Sequence, residues 1–428
     1  MLVSKTSCYG YVIQPIRTRM TNHSLALGAL IILASLAHAA DSPVVECYRL
    51  KLPDGKTDMC QASDLCFGRL GKYDGLWIAC DRNGGLSGNQ IFLIDRSALA
   101  DLKSGGDAVA TRSFPTVGPA EGWERFNAEH ARIAPEVLAE LRRQFENFQQ
   151  GKMPILDFEG ITIAPRLSEH RADLSGIARS AKTQASGQAD KTPKSKPATS
   201  TTPPMALFVV TEQPNSIVLE FSLVDDDRPR AVLIDCFFYP EKSEDRGGDF
   251  NDGLEGIAWA SKPGEFFICE EGTRPYRPND NMHFYDQPRL MRCTLAGAWC
   301  NVEEPWSGRA TESVRSQHDK PSQTLNALTI ANDRTLLAVD RNGGWILAVD
   351  VPTGHATRYL SLYDPKLLDL RERLANYPGP RHMSYVSIEG IALDDHGDLW
   401  LCDDPAMPEP FRESCLIRLR HPPPLPKE

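Results

Sequence analysis

The sequence lacks the motifs of several common enzyme classes. It contains no GxSxG nucleophile elbow, no HExxH helix and no phosphate-binding Walker loop. Its 11 cysteines form no CxxC pairs, so a zinc–thiolate site is not indicated. Beyond residue 36, no apolar run approaches the roughly 20 residues that a membrane-spanning helix requires. Serine-triad, zinc-protease and integral-membrane functions therefore have no support in the sequence.

The first 39 residues also lack acidic side chains, and they are typical of a secretory signal. Lys5, Arg17 and Arg19 precede an apolar run at residues 25–36, and Ala37-His38-Ala39 offers small residues for cleavage. We expect residues 1–39 to be removed and residues 40–428 to form one domain in the periplasm or outside the cell. A membrane anchor is the alternative for this short apolar run.

Acidic residues outnumber basic residues, 57 to 47. Removal of the three basic residues of the signal leaves 44, so the mature chain has a net charge of 44 − 57 = −13. This balance argues against nucleic acid or an anionic membrane as a partner, and it favours cations. We expect a monomer that acts on a small molecule and has no membrane span once the signal is cleaved.

Ten cysteines remain after residue 39. An even number in an exported chain predicts disulfide bonds. The pairs Cys293–Cys300 and Cys402–Cys415 are the most plausible, because each pair flanks a short, hairpin-like connection.

One short turn, DRNGG, occurs twice, at residues 81–85 and 340–344. Each copy follows one apolar run and precedes another. Three further segments fit the same frame: FEGITIAP from Phe158 continuing at ALFVVTEQPNS, LEGIAWASKPGEFFICEEG from Leu254, and IEGIALDDHGDLWLCDDP from Ile388. Each is typical of a strand, a polar turn, a second strand and an acid, and a third strand usually follows. Five such units of roughly 60 residues predict an all-β fold, a β-propeller.

Five blades are the economical count, because VVECYRL at Val44 can supply the fourth strand of the last blade. Six blades are the alternative, since residues 108–122 could contain further strands. Residues 166–204 are rich in Ala, Ser, Thr, Lys and Pro and predict a flexible loop.

A helical insertion is predicted at about residues 123–150. Its helix begins at Pro135, continues to about Gln150, and carries the apolar residues Val137, Leu138, Leu141, Phe145 and Phe148 on one face. This helix either covers a site as a lid or packs on the side of the propeller. A second helix is predicted from Asp364 to near Tyr377.

Polar residues recur at two positions of the repeat. At the first strand we expect a ring around the channel mouth, formed by Asp64, Glu159, Glu255, Asn326 and Glu389. The ends of the second strands should face the same side, with Asp81, Glu212, Glu270, Asp340 and Asp403. Clustered carboxylates repel each other unless a cation neutralises them, and Ca²⁺ accepts carboxylate and amide oxygens together. The alternative is that each acid caps backbone N–H groups of its own turn, above all Asp81 and Asp340.

The segments FEGITIAP, LEGIAWASKPGEFFICEEG and IEGIALDDHGDLWLCDD resemble a family of secreted bacterial proteins with phytase-like or esterase-like activity. LNALTIANDRTLLAVDRNGG is similar to the blades of the gluconolactonase and paraoxonase group of calcium propellers. These resemblances imply a calcium site built from first-strand Glu and Asn and a strand-end Asp. The matching residues are Glu159, Glu255 or Glu389, then Asn326, then Asp340 or Asp403. Asn326 departs from the pattern, because Ala-Leu follows it instead of Gly-Ile.

The resemblance implies calcium-dependent hydrolysis of a phosphate ester, a carboxyl ester or a lactone. His382 and His283 are the expected bases that activate water. Arg274, Arg277 and Arg381 are expected to hold an anionic substrate. The alternative is a non-enzymatic propeller that binds a protein or a saccharide and uses the cation only for structure.

Overall fold

A computed structural model describes residues 43–59, 61–81, 89–149, 156–167, 203–211, 216–239, 253–270, 289–296, 299–303, 324–341, 343–362, 387–403 and 414–426. Strands dominate these segments. The predicted signal, almost all of the predicted loop at residues 166–204 and the helix predicted from Asp364 lie outside them. Among the described residues, no helix is long and apolar enough to cross a membrane.

The first four strands of the chain belong to two different blades. β1 (Val44–Lys51) belongs to the last blade, whereas β2 (Ala62–Leu70), β3 (Tyr73–Cys80) and β4 (Asn89–Asp95) begin the first. A short helix, α1 (Arg96–Ala100), then leads to β5 (Asp107–Val109) and β6 (Arg112–Val117). β6 pairs antiparallel with β4 and completes blade 1, in the order β2-β3-β4-β6.

Blades 2, 3 and 4 are four-stranded antiparallel sheets in sequence order. Blade 2 contains β7 (Phe158–Pro165), β8 (Met205–Thr211), β9 (Ile217–Val224) and β10 (Arg230–Phe238). Blade 3 contains β11 (Leu254–Trp259), β12 (Glu265–Glu270), β13 (Arg289–Ala296) and β14 (Trp299–Glu303). Blade 4 contains β15 (Ala327–Asn332), β16 (Thr335–Asp340), β17 (Trp345–Asp350) and β18 (Ala356–Ser361).

Blade 5 combines strands from both ends of the described chain. β19 (Ile388–Leu393), β20 (Leu399–Asp403) and β21 (Cys415–Arg420) are followed by β1, which pairs antiparallel with β21 from Val44↔Arg420 to Arg49↔Cys415. This pairing confirms the predicted closure by the segment at Val44. β5 adds a fifth strand, parallel to β1.

The five inner strands form a closed ring. β2 contacts β7, β7 contacts β11, β11 contacts β15, β15 contacts β19, and β19 contacts β2. The protein is therefore a β-propeller with five blades, as the repeat predicts. The strands within residues 108–122 are β6 and the end of β5, which are outer strands of blades 1 and 5, so a sixth blade is not formed there.

Glycine in the Glu-Gly-Ile motif allows neighbouring inner strands to approach closely. A Cβ atom on Gly160 would lie 2.7 Å from the carbonyl oxygen of Glu255, and one on Gly256 would lie 2.9 Å from the Cα of Ala327. A Cβ on Gly390 would lie 2.8 Å from the Cα of Asp64. Side chains at these positions would push the inner strands apart.

Each pair of neighbouring blades encloses an apolar cluster. Blades 2 and 3 share one that includes Phe208 and Phe266, whose ring centroids lie 4.8 Å apart. Four further clusters fill the other junctions between blades. The blades are thus held together by continuous burial of apolar side chains around the ring.

The insertion contains two helices, α2 (Trp123–Glu129) and α3 (Pro135–Gln149). α3 begins at Pro135, as that proline predicts, whereas the sequence pattern does not predict α2. Leu138, Leu141 and Phe145 of α3 are buried in the cluster between blades 1 and 2. α3 therefore packs on the propeller through its apolar face, which is the second of the two arrangements considered for it.

The cysteine pattern requires a correction. Cys402 is a free thiol, and its Sγ lies 3.3 Å from the carbonyl oxygen of Ala62. Cys402 belongs to the cluster between blades 5 and 1, whereas Cys415 lies on the opposite side of blade 5, so the predicted disulfide between them is wrong. Cys293 carries a thiol that donates to the carbonyl oxygen of Phe266 at 3.6 Å, where a disulfide to Cys300 was expected.

Candidate functional site

The first strand is irregular at the same point in blades 1, 2, 3 and 5. The register shifts between Ala62 and Asp64 in β2, and the corresponding shifts in β7, β11 and β19 place an extra residue before each glycine of the Glu-Gly-Ile motif. In blade 4 the backbone N–H of Asn326 donates to the carbonyl oxygen of Val339 at 3.0 Å, next to the pair Ala327↔Val339. The equivalent residues of the five blades are Ser63, Glu159, Glu255, Asn326 and Glu389. A bulge redirects the side chain of its extra residue, which explains why Glu is placed at a strand start.

Asp64 is not equivalent to the three glutamates, and its predicted place in the ring is corrected. It lies one residue later, where the other blades have Gly160, Gly256, Ala327 and Gly390. Its buried carboxylate accepts the backbone N–H of Ile161 in blade 2 at 2.9 Å and that of Ile391 in blade 5 at 3.4 Å. Burial holds the pKa of Asp64 well above its usual range. Asp64 thus joins three inner strands.

The two DRNGG segments occupy different registers of their blades. Asp64 pairs with Ala79, and the equivalent residue Ala327 pairs with Val339. Asp340 therefore corresponds to Cys80, and Arg341 corresponds to Asp81. The two identical DRNGG segments thus place Asp81 at the junction of blades 1 and 2 and Arg341 at the junction of blades 4 and 5.

The carboxylates predicted as strand-end metal ligands accept hydrogen bonds from backbone N–H groups of their own blades. The Oδ1 atom of Asp340 accepts the backbone N–H of Gly343 at 2.7 Å and that of Thr324 at 3.2 Å. Burial raises the pKa of Asp340 to about 6, and these two hydrogen bonds oppose that shift. Asp403 accepts the backbone N–H of Cys415 at 2.6 Å. These contacts are the backbone capping considered above, and they involve Oδ1 of each carboxylate, so metal ligation by Asp340 and Asp403 stays a prediction.

Three carboxylates meet at the junction of blades 1 and 2. Asp81 follows β3, and Asp157 and Glu159 flank Phe158 at the start of β7. One oxygen from each carboxylate lies within 4.8 Å of the other two. Asp157 is only 2% exposed, and Gln61 Nε2 donates to Asp81 Oδ2 at 3.1 Å. The structure thus places the predicted ligand Glu159 beside two acids that the prediction did not assign to the metal.

The equivalent junction of blades 4 and 5 carries an ion pair instead. The Nη1 atom of Arg341 donates to Oε1 of Glu389, and the hydroxyl of Ser387 lies 3.5 Å from the same oxygen. The side chain of Glu389 is 9% exposed and that of Arg341 is 22% exposed. Glu389 is therefore neutralised by a side chain of the neighbouring blade.

Glu255 and Asn326 meet at the junction of blades 3 and 4. The amide Nδ2 of Asn326 donates to Oε2 of Glu255 at 3.3 Å. Asn326 is 1% exposed, and its Oδ1 has no hydrogen-bond partner within the described segments. This pair offers one carboxylate and one amide oxygen, the donor types that Ca²⁺ accepts.

The other predicted site residues are not placed. His283, His382, Arg274, Arg277 and Arg381 lie outside the described residues, so their roles stay predictions. The residues that the sequence did not single out for the site are Asp157 and Arg341. Asp157 lies two positions before Glu159 in LDFEG, and Arg341 is inside the repeated turn. An alignment that allowed for the bulge would have shown the arginine at the position of Asp81.

No family model and no curated protein matches this sequence. Solved structures with a similar fold include the soluble aldose sugar dehydrogenase of Escherichia coli, at 10% identity and a TM-score of 0.38, covering 88% of this chain and 99% of that chain. A luciferin-regenerating enzyme matches at 9% identity and a TM-score of 0.34, covering 88% and 95%. The Dos1 propeller matches at 10% identity and a TM-score of 0.31, covering 84% and 68%. The resemblance to the phytase-like family stays a prediction.

Proposed function

We propose that the protein is a calcium-dependent ester hydrolase with its site where the inner strands begin. The observation that carries this proposal is the group of Asp81, Asp157 and Glu159, with oxygens within 4.8 Å of one another. Like charges this close repel strongly in a partly buried place. We infer that these three carboxylates hold a bound cation between blades 1 and 2.

The donors favour calcium. Three carboxylates that each bind through one oxygen provide three ligands, and Ca²⁺ takes six to eight, so positions are left for further donors, water and substrate. Zinc prefers nitrogen and sulfur donors. Glu255 and Asn326 are further proposed oxygen donors at the mouth. Asp340 and Asp403 stay proposed ligands, since the backbone N–H groups that they accept bond to Oδ1. Asp64 leaves the proposed ligand set, because both of its carboxylate oxygens accept backbone N–H groups of neighbouring inner strands.

The chemistry that calcium supplies when bound is polarisation of a phosphoryl or carbonyl oxygen and activation of water. Within this chain, Asp157 is buried directly before β7, and Glu159 is the extra residue of the bulge, which directs its side chain. Both residues therefore present oxygens from a fixed backbone, which lowers the cost of ordering them on binding. His283 and His382 stay the proposed bases, and Arg274, Arg277 and Arg381 stay proposed contacts to an anionic substrate.

The substrate is proposed to be a phosphate ester, a carboxyl ester or a lactone, and the location is proposed to be periplasmic or extracellular. The support is the acidic mouth and the secretory pattern of residues 1–39. A propeller that binds a protein or saccharide and uses calcium only structurally is the competing outcome of the experiment below.

The test is calcium binding by calorimetry to residues 40–428. We expect the wild type to bind calcium stoichiometrically and the double variant D157N/E159Q to bind at least about tenfold more weakly, because two carboxylates are lost. E124Q, at an exposed position of α2, is the matched control and should bind like the wild type. Equal binding by wild type and D157N/E159Q would overturn the proposed site.

Activity is then measured with p-nitrophenyl phosphate, p-nitrophenyl acetate and a γ-lactone, each with calcium and with a chelator. Turnover that requires both calcium and Glu159 supports the hydrolase. Calcium binding without turnover of any of the three would favour the binding propeller.

A further inference from the structure

Arg341 breaks a pattern that the other four blades share. The residue directly after the strand-end position is acidic in blades 1, 2, 3 and 5, where the sequence has Asp81, Glu212, Glu271 and Asp404. In blade 4 the same position is Arg341. Blade 4 is therefore the one blade in which the sequence has a positive charge directly after the strand-end position.

The contacts of Arg341 place its charge at the mouth. Its guanidinium pairs with Glu389, the bulge residue of blade 5, which itself belongs to the ring of mouth residues. The side chain of Arg341 is 22% exposed and that of Glu389 is 9% exposed. The arginine is thus the more exposed partner of the pair.

The charges around Arg341 indicate which kind of ligand it could bind. The same end of the propeller carries the acids Glu159, Glu255, Asp81 and Asp157, so a fixed positive group there favours an anionic substrate. Guanidinium suits this role, because its planar set of N–H donors matches the two oxygens of a carboxylate or phosphate. In the structure, Oε1 of Glu389 accepts from Nη1 of Arg341, so this carboxylate occupies a position that a ligand oxyanion could take.

We propose that Arg341 is a specificity-determining residue that binds an oxyanion of the substrate, phosphate or carboxylate, in exchange for its contact with Glu389. This inference rests on the proposed function, and it selects anionic esters among the substrate classes named above. Glu389 competes with the ligand for the guanidinium. It therefore sets the affinity for the oxyanion and does not serve as a calcium ligand.

The competition gives two variants opposite expected effects. Inorganic phosphate and, separately, acetate are titrated by calorimetry into the calcium-loaded protein of residues 40–428. We expect R341Q to weaken binding of the preferred anion at least about tenfold, because a charge-assisted contact is lost. E389Q should strengthen binding several-fold, since the competing carboxylate is removed. R334Q, at the far end of blade 4 beside Asp350, is the control and should match the wild type.

A purely structural ion pair predicts a different result. R341Q and E389Q would then both lower thermal stability and change anion binding in the same direction or not at all, and either result would overturn the proposal. Absence of anion binding by the wild type would also overturn it. Preference for phosphate over acetate assigns the oxyanion to a phosphate ester, and the reverse preference assigns it to a substrate carboxylate.

A failure of the proposed role of Arg341 can be told apart from a failure of the proposed function by measuring calcium binding. R341Q and E389Q should both keep the wild-type calcium affinity within a few-fold. If the wild type binds no calcium, the calcium proposal fails, and the same anion titrations are made on the metal-free protein. Phosphate or acetate binding that depends on Arg341 in that state leaves this inference standing, whereas its absence overturns both.

Discussion

Asp64 shows how one buried carboxyl group can make stability depend on pH. Burial raises its pKa well above the value near 3.9 that an aspartate has in an unfolded chain. The contribution of this group to stability is therefore fully present below about pH 4 and is lost as the pH rises through the folded-state pKa. We predict that D64N gains stability relative to the wild type as the pH is raised from about 4 to about 8, measured by urea unfolding.

Asp54 serves as a control, because its contribution to stability should depend on pH in the opposite direction. Hydrogen bonds from the hydroxyl and the backbone N–H of Thr57, together with one from the N–H of Lys56, lower the pKa of Asp54 to about 2. Its contribution is present above about pH 4 and is lost as the pH falls towards 2. D54N should therefore lose stability relative to the wild type above about pH 4, and the difference should disappear in acid. Equal pH dependence in D64N and the wild type would contradict the assignment for Asp64.

The sequence could predict the ring glutamates but not the register of Asp64 or Arg341. Glu159, Glu255 and Glu389 share the letters Glu-Gly-Ile, and the bulge before each glycine is the same in the structure. In blade 1 the bulge residue is Ser63, so the nearest acid in the sequence is one position too late. A shift of one residue moves a strand side chain to the other face, and pattern alone does not reveal it.

At the scale of elements, a buried histidine joins the helical insertion to blade 2 through a hydrogen bond. His130 follows α2, and its Nδ1 lies 2.8 Å from the carbonyl oxygen of Phe126 while its Nε2 lies 2.7 Å from Oδ1 of Asp235 on β10. The two side chains are 1% and 2% exposed. We predict that H130A destabilises the protein by about 3–5 kcal/mol, because it leaves the Asp235 carboxylate buried without this partner. Urea unfolding measures the loss.

The double variant H130A/D235N tests whether the loss of stability comes from the contact between His130 and Asp235. Its loss should be smaller than the sum of the two single losses, because the second change removes the charge that the first one exposes. H355A, at an exposed turn of blade 4, should stay within about 0.5 kcal/mol of the wild type. Additive losses for His130 and Asp235 would show that the two side chains act independently.

The elements that the sequence predicts best are those with a strong local signal. The start of α3 follows from Pro135 and its apolar face, and the inner strands follow from the repeat. α2 has only seven residues and one buried apolar side chain, Phe126, so it has no apolar stripe to recognise. Its place depends on tertiary contacts, including the stacking of Phe126 on His130 at 4.1 Å between ring centroids.

At the scale of the whole molecule, closure depends on β1. The sequence predicts this strand because the last repeat lacks a fourth strand and an unassigned strand precedes the first repeat. The predicted disulfides are not needed for the closure: Cys47 and Cys402 of blade 5 are free thiols. Cysteine count indicates the compartment in which a chain works, but the distance and orientation of two side chains decide whether they pair.

A closed ring should unfold as one unit, because each inner strand contacts both of its neighbours and no blade buries its faces alone. Leu50 on β1 is fully buried against blades 5 and 1. We predict that L50A costs about 2–5 kcal/mol and keeps a single unfolding transition. Val44 on the same strand is 49% exposed, so V44A should cost less than about 0.5 kcal/mol. Tryptophan fluorescence reports on the surroundings of all seven tryptophans, which include Trp77 in blade 1, Trp345 in blade 4 and Trp400 in blade 5. Circular dichroism reports on the strands of every blade. If L50A gave different midpoints for the two signals, the propeller would not unfold as one unit, and part of it would open separately from the rest.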